Sequence, residues 1–290
     1  MINFSILIPH KNRPVLLQKC IDSIPLRDDV QVIIVDDNSS PDIVDFNNFP
    51  GKDNPMVQVI FAKEGKGAGY ARNVGLPYVK GKWLCITGSD DFFLPDFNVA
   101  MDKFVNTEYD VVFFKTISQY LDGSISDRSD YWNETVSTAI KYNDFSDVFI
   151  CSRDAFKFYS VSFLRNYDIM HFHEVRWSND VFFSANVARF AQKYYASNIS
   201  IACVTDSKDN LTKDSSMECL VVRFIEEGKS VRIMSPRYGY KDSLHYFFFR
   251  RWFSIYKKSK IYAALYFPYA IFYDGTSFLR LFFSALFKIN

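Results

Sequence analysis

The chain offers little on which metal-clip or redox chemistry could be built. Its five cysteines, Cys20, Cys85, Cys151, Cys203 and Cys219, are scattered without a CxxC spacing. That argues against a zinc knuckle or a thioredoxin-like site and suits a reducing compartment. No GxGxxG stands at the first strand-to-helix junction, and GKGAG at 65–69 lacks the GK[ST] ending that supplies a magnesium ligand in a P-loop. Dinucleotide oxidoreductases and P-loop phosphotransferases therefore fit poorly. The opening MINFSILIPH has neither a charged n-region nor a long h-region, so no signal peptide is expected and the run reads as a first strand. In the tail, the uncharged run from Ile261 to Tyr273 has 13 residues and contains Pro268, short of the roughly 20 that a membrane-crossing helix needs.

Apolar and aromatic residues, by contrast, are plentiful. Of the 290 residues 48% are hydrophobic and 18% aromatic, with 30 Phe and 18 Tyr, which excludes a disordered chain and leaves sticky surface for a membrane or a partner. The net charge of +1 hides an asymmetry: residues 1–240 carry 26 basic against 31 acidic side chains, and 241–290 carry 8 against 2. The acidic front is a poor nucleic-acid surface, so no nucleic-acid partner is expected. The basic tail suits anionic lipid.

Strand and helix signals alternate through the first half. Phe4–Ile8, Val30–Val35, Val57–Phe61 and Trp83–Thr87 read as strands, with helices over Pro14–Ile24 and Gly69–Tyr78, which implies a mostly parallel sheet covered on both faces. Ligands of such sheets gather beyond the carboxyl ends of the strands. Four loops leave those ends and offer groups able to hold a nucleotide: Pro9, His10, Asn12 and Arg13; Asp37; Lys66 and Gly67; Ser89, Asp90 and Asp91. Each loop taken alone is ordinary turn chemistry. Two apolar runs that each end in an acidic pair suit a metal-bound nucleotide. Further on, Asp110–Phe114 reads as a strand, Tyr120–Glu134 as a surface loop or hairpin, 197–216 as loop-rich with a flap in TDSKDNLTKDSS, and Met217–Glu226 as a helix.

Four pieces in order and spacing, FSILIPHKNRPVLLQKCIDSI at 4–24, VIIVDDNSS at 32–40, GAGYARNVGL at 67–76 and GKWLCITGSDDFF at 81–93, resemble the family 2 inverting glycosyltransferases with the GT-A fold. The resemblance is close over residues 4–100 and looser as far as 200. It implies an α/β chain with a Rossmann-like, mostly parallel central sheet and a helical aromatic and basic C-terminal segment. Residues 1–100 would bind the nucleotide sugar, 101–225 the acceptor and the catalytic base, and 226–290 would pack or lie on a membrane surface.

Carried over by position, the resemblance places Pro9 against the nucleotide and Asp37 at uracil N3–H, a donor that a carboxylate can accept. Arg72 is expected to pin Asp37 or Asp90, or to approach the diphosphate. Asp90 matches the ligand of Mn²⁺ or Mg²⁺, with Asp91 bracing the loop. The family's Asp-x-Asp-Asp departs here, because Gly88 replaces the first carboxylate; a loose cation cage assembled with the donor is the implied result.

In YDIMHFHEVRWSNDVFFSANVARF at 167–190, Asp180 matches the base that activates the acceptor hydroxyl, with Glu174, Trp177 and Asn179 on the acceptor side. Helix N-capping is the structural alternative for Asp180. His171, His173 and Glu174 are too few for a confident metal site and read as acceptor-pocket residues. The implied activity is metal-dependent, inverting transfer from a UDP-sugar to a hydroxyl of a glycan or lipid-linked glycan. Its setting would be lipopolysaccharide or capsule synthesis, on the cytoplasmic face of the bacterial inner membrane. The tail from Leu244 would meet anionic lipid, cover the catalytic domain, or build a homo-oligomer. A sugar-phosphate nucleotidyltransferase and a noncatalytic sugar-nucleotide-binding relative are the alternatives.

Overall fold

The structure, a computed structural model, describes residues 1–207 and 210–288. The chain opens β1 (Phe4–His10), α1 (Pro14–Asp22), β2 (Val30–Asp37), β3 (Val57–Ala62), α2 (Ala68–Gly75) and β4 (Trp83–Ile86), as the apolar runs predict. Next come β5 (Phe92–Phe93), α3 (Asp96–Phe104), β6 (Val111–Tyr120), α4 (Asp130–Tyr142), α5 (Ser146–Cys151), β7 (Lys157–Ser160), α6 (Val161–Asn166), α7 (Val181–Phe190) and β8 (Tyr194–Asp206). Three helices follow: α8 (Met217–Tyr238), α9 (Asp242–Lys258) and α10 (Lys260–Lys288).

The strands form one sheet in the order β3-β2-β1-β4-β7-β6-β8-β5. Among the described strands, β1–β2, β1–β4, β2–β3 and β6–β8 pair parallel, while β4–β7, β6–β7 and β5–β8 pair antiparallel. The sheet is therefore mixed though mostly parallel, and it curls into a half-barrel rather than the flatter Rossmann-like sheet expected. Two features favour the curl: strand twist accumulates across eight strands, and the β6–β8 register shifts on either side of Lys115, a bulge that bends a strand.

Every residue of β1 and β2 is buried. Alternate side chains go to opposite faces: Phe4, Ile6 and Ile8 join one core with α1 and α3, and Leu7, Ile33 and Val35 join the other with α2 and the C-terminal helices. The parallel registers His10↔Asp36 and Leu7↔Ile86 bring the ends of β2, β1 and β4 flush. Three of the four nucleotide-type loops thus leave one rim side by side.

Other stretches depart from expectation. The loop expected over Tyr120–Glu134 already enters α4 at Asp130, and the loop-rich stretch from 197 is β8 as far as Asp206. Within the expected flap, Lys208 and Asp209 lie outside the described residues. α8 continues past Glu226 to Tyr238.

The tail is built into the molecule. Leu244, Phe248, Trp252 and Ile255 of α9 and Ala263, Ala270 and Phe278 of α10 are buried with Phe224 of α8, and Trp252 Nε1 donates to the Ala263 carbonyl at 3.1 Å. α10 breaks at Gly275, whose φ of +57° is costly for any residue with a Cβ. Through this inner face α9 and α10 pack on α8 and on each other.

His245 of α9 ties this bundle together. Its Nε2 donates to the Gly239 carbonyl at 2.8 Å and its Nδ1 bonds to the Asp274 carboxylate of α10. An imidazole that donates from both nitrogens is charged. The bond to Asp274 raises its pKa above the ordinary 6.5, against partial burial. Stabilisation from a raised histidine is complete below pH 6.5 and is lost as pH rises through the folded value. The urea midpoint is therefore expected to fall as pH is raised above 6.5, and His245→Gln to flatten that slope; an unchanged slope in the variant would remove His245 from this role.

Candidate active site

The rim begins with a buried hub. Asp36 accepts from His10 Nδ1 at 2.8 Å, Ser39 Oγ at 2.6 Å and Ser39 N at 2.9 Å, while His10 Nε2 accepts from Arg13 N at 3.0 Å. These bonds fix the neutral Nδ1–H tautomer of His10. Burial works against the charge of Asp36, yet His10 and Ser39 hold its carboxyl below the ordinary range. Asn12 is also committed to the scaffold: its N–H donates to Ser39 Oγ and its Oδ1 accepts from Ser40 N, both at 2.8 Å. His10 and Asn12, expected at the nucleotide, are thus held by the scaffold, and His10 also lines a cavity wall.

The adjacent Asp37 turns the other way. Its Oδ2 accepts from Gly67 N at 2.8 Å and from Lys11 Nζ at 3.4 Å, whereas Oδ1 is buried without a partner among the described residues. It lines a cavity of 540 Å³ with Pro9, Lys11, Gly65, Lys66 and Gly67. Lys66 is exposed and pairs with Glu64.

A second cavity, of 530 Å³, adjoins the first through Pro9, Lys11, Ala68, Arg176 and Leu211, which line both. Its wall carries Arg13, Arg72, Ser89, Asp90, Asp91, Trp177, Asn179 and Asp180. Asp180 occupies the N-cap position of α7 but its side chain makes no cap hydrogen bond. Capping therefore does not account for it. Its nearest cation is Arg153, Nε to Oδ2 4.0 Å.

Arg72 does not reach Asp37 or Asp90. It bonds to Asn179 Oδ1 and lies 3.0 Å from Asp154 Oδ2, because α2 faces the loop before β7. Its Nε and Asp154 Oδ2 are close enough to pair in charge but misaligned for a hydrogen bond. Burial pushes the Asp154 carboxyl up, with Arg72 opposing. Trp177 is buried with its indole N–H unpartnered. Buried polar atoms without partners are rare in folded proteins, and here Asp37 Oδ1 and Trp177 Nε1 both belong to cavity-lining residues.

Glu174 is exposed, accepts from Asn73 Nδ2 at 3.3 Å and lines neither cavity. His173 stacks on Phe182 at 4.0 Å and bonds through Nδ1 to Glu226 of α8 at 2.5 Å. Glu174 and His173, expected on the acceptor side, bond the 171–180 segment to α2 and α8.

Asp90 and Asp91 converge on Gly88, where a Cβ would stand 2.7 Å from Asp90 Oδ1 and 3.2 Å from Asp91 Oδ2. Asp91 Oδ1 accepts from Thr205 N at 2.8 Å, the bracing role expected of it. Burial and the charge of Asp90 push Asp91 up to about 8. A divalent cation beside the pair would relieve that repulsion and let both carboxyls ionise. Among the described residues no group of three or more His, Cys, Asp or Glu could hold a metal ion, so donor oxygens and water would have to complete the shell.

Several cavity residues carry no sequence signal: Arg128, Arg153, Asp154, Arg223 and Arg251. Arg251, in the basic tail left open between lipid contact and packing, reaches inward from α9, and Glu227 of α8 accepts from Arg153 Nη2 at 2.9 Å and from Arg251 Nη2 at 3.1 Å. Those two arginines hold the Glu227 carboxyl below the ordinary range despite burial.

The family model described as Glycosyl transferase family 2 matches residues 5–168. EpsH of Bacillus subtilis (strain 168) is 28% identical over 123 residues, 41% of this chain and 35% of that protein. The GalNAc(5)-diNAcBac-PP-undecaprenol beta-1,3-glucosyltransferase of Campylobacter jejuni is 31% identical over 116 residues, 39% of this chain and 38% of its own length. The aligned stretch thus spans little more than a third of either relative. S. aureus TarS 1-349 in complex with UDP-GlcNAc superposes with a TM-score of 0.61 at 14% identity, covering 96% of this chain and 89% of that one. The mannosyltransferase PcManGT from Pyrobaculum calidifontis in complex with GDP-Man and Mn²⁺ gives 0.56 at 14%, covering 99% and 81%.

One contact holds the two cavities to a common wall. A Cβ on Gly69 of α2 would lie 2.2 Å from the His173 carbonyl oxygen and 2.9 Å from Asn179 Cβ. Gly69→Ala is expected to cost about 1–3 kcal/mol in urea denaturation and to raise amide exchange across 172–180. Unaltered exchange there would show that the approach is not needed.

Proposed function

The chain belongs to glycosyl transferase family 2, and from that membership we propose that it is an inverting enzyme moving a sugar from a UDP-sugar to a hydroxyl of a glycan or lipid-linked glycan. The observation that carries this reading is the placement of Asp37, Asp90 and Asp180 on two cavities with a shared wall. Asp37 Oδ1, an acceptor with no partner, takes the N3–H of uracil. Lys11 and Arg13 lie between it and Asp90 on the rim and meet the diphosphate.

Asp180 accepts the proton of the acceptor hydroxyl as that oxygen bonds to the anomeric carbon from the side opposite the diphosphate. The bond from carbon to diphosphate oxygen breaks, UDP carries away the electron pair, and the configuration inverts. No covalent sugar intermediate and no second nucleophilic carboxylate are required. Asp90, with Asp91 beside it, would hold Mn²⁺ or Mg²⁺, and such an ion neutralises charge on a departing diphosphate.

Calorimetry with UDP and GDP, with and without Mn²⁺, tests the donor side. UDP is expected to bind, more tightly with Mn²⁺, and Asp37→Ala to weaken it by about 1–3 kcal/mol. Asp180→Asn should keep UDP affinity while transfer falls roughly 10²–10⁴-fold. Preference for GDP would remove the uridine assignment, and normal turnover by Asp180→Asn would remove the base. UDP binding without turnover across a broad donor and acceptor panel would favour a noncatalytic relative.

The outer face of α10 supports a lipid surface as partner and a cytoplasmic, peripheral position in surface-polysaccharide synthesis. Ile261, Leu265, Tyr269 and Phe272 recur on one side of the helix and are 74%, 62%, 54% and 62% exposed. The exposed Lys257, Lys258 and Lys260 stand at its start. Rings and aliphatic groups entering a headgroup boundary beside lysines are how interfacial helices bind anionic bilayers. No helix among the described residues is long and apolar enough to cross a membrane. Co-sedimentation with phosphatidylglycerol vesicles is expected, with little on phosphatidylcholine and loss in an Ile261→Glu/Leu265→Glu variant. Equal recovery on both lipids would end the proposal, as would a solution dimer that the same variant splits.

A further inference from the structure

Four arginines, Arg153, Arg176, Arg223 and Arg251, line the second cavity together with Asp180. Asp180, 4.0 Å from Arg153 Nε, and Glu227, which both Arg153 and Arg251 share, answer them directly, and Asp154 and Asp214 add negative charge near Arg153 and near Arg176 and Arg223. Over the whole lining eight Lys and Arg side chains still stand against four Asp, an excess of cations. Arg223 Nη2 donates to the Leu211 carbonyl at 2.8 Å, and Arg251 Nε is buried with no acceptor among the described residues. An unsatisfied buried N–H costs about 1–3 kcal/mol. A ligand oxygen would relieve it.

This excess is separate from what the donor needs. The donor diphosphate is assigned to Lys11 and Arg13 and, through a cation, to Asp90, in the loops that follow β1 and β4. Arg223 and Arg251 come from α8 and α9, beyond the stretch matched by the family model, which ends at residue 168. A neutral sugar hydroxyl gives weak return for desolvating guanidinium groups, whereas an oxyanion matches their fork with charge-assisted bonds.

We propose that the acceptor carries an oxyanion, a phosphodiester or a carboxylate, beside the hydroxyl that is attacked, and that Arg223 and Arg251 grip it. The proposal rests on the reading of Asp180 as the acceptor-side base. It makes the C-terminal helices the reader of acceptor charge.

The full chain saturated with UDP, so that the donor diphosphate position is filled, is titrated with glycerol 1-phosphate, glucuronate and glucose. One of the anions is expected to bind and glucose not to. Arg223→Ala and Arg251→Gln should each weaken the anion at least five-fold while UDP affinity stays at the wild-type value, which also reports that the variants are folded; Arg251→Lys should recover part of the loss. Preference for glycerol 1-phosphate assigns a phosphodiester, and preference for glucuronate a uronic acid. Three results overturn the proposal: no anion binds the UDP-loaded chain, both substitutions leave binding intact, or the anion binds only when UDP is absent. Failure of UDP itself to bind would overturn the donor reading instead, and an anion still lost in Arg223→Ala would leave the acceptor site standing.

Discussion

A buried carboxylate holds the rim on which the site is assembled. Asp36 takes three hydrogen bonds, from His10 and twice from Ser39, and through His10 it fixes the backbone of Arg13. Bonds to a charged acceptor contribute about 1.5–3 kcal/mol each, and removing such a hub leaves several buried donors unanswered. The parallel register of β1 with β2 sets Asp36 opposite His10. Neighbouring strand residues face opposite ways, so committing Asp36 to the scaffold is what turns Asp37 towards the open cavity.

Much of this was legible in the residues themselves. The apolar runs of β1, β2 and β4 announce buried strands, and the acidic pairs that end β2 and precede β5 announce a rim rich in acceptors. Asp180 stood out through the family resemblance, whereas the helix behind it, which buries Val181, Phe183 and Ala185, spoke equally for a cap. Spacing could not tell scaffold from ligand contact, because His10 and Asn12 sit in the same loop as Pro9 and Arg13 and differ only in which partner lies behind them.

What remained hidden came from long-range packing. Asp154 meets Arg72 across α2, and Arg153 meets Arg251 through Glu227; no periodicity links residues so far apart in sequence. β8 was obscured because YYASNISIACVTD is half-buried and polar in places, so its composition resembles a connector. Charge counting in the tail gave the sign correctly but not the direction: α9 turns Arg251 inward, while Lys260 and the apolar stripe of α10 stay outside. A basic, aromatic tail thus serves core, cavity and surface at once.

Helix α8 holds two parts of the site with adjacent residues. Glu226 grips His173 and Glu227 grips Arg153, and successive helical positions diverge by about 100°, so the pair spans two loops as a yoke does. One loop leads to Asp180, and the other carries Asp154 towards Arg72. Neither loop can shift along the helix axis without the other. A graft that replaced α8 with that of a distant relative would have to bring both loops with it, so the C-terminal bundle and the segment bearing Asp180 form a single inheritable unit.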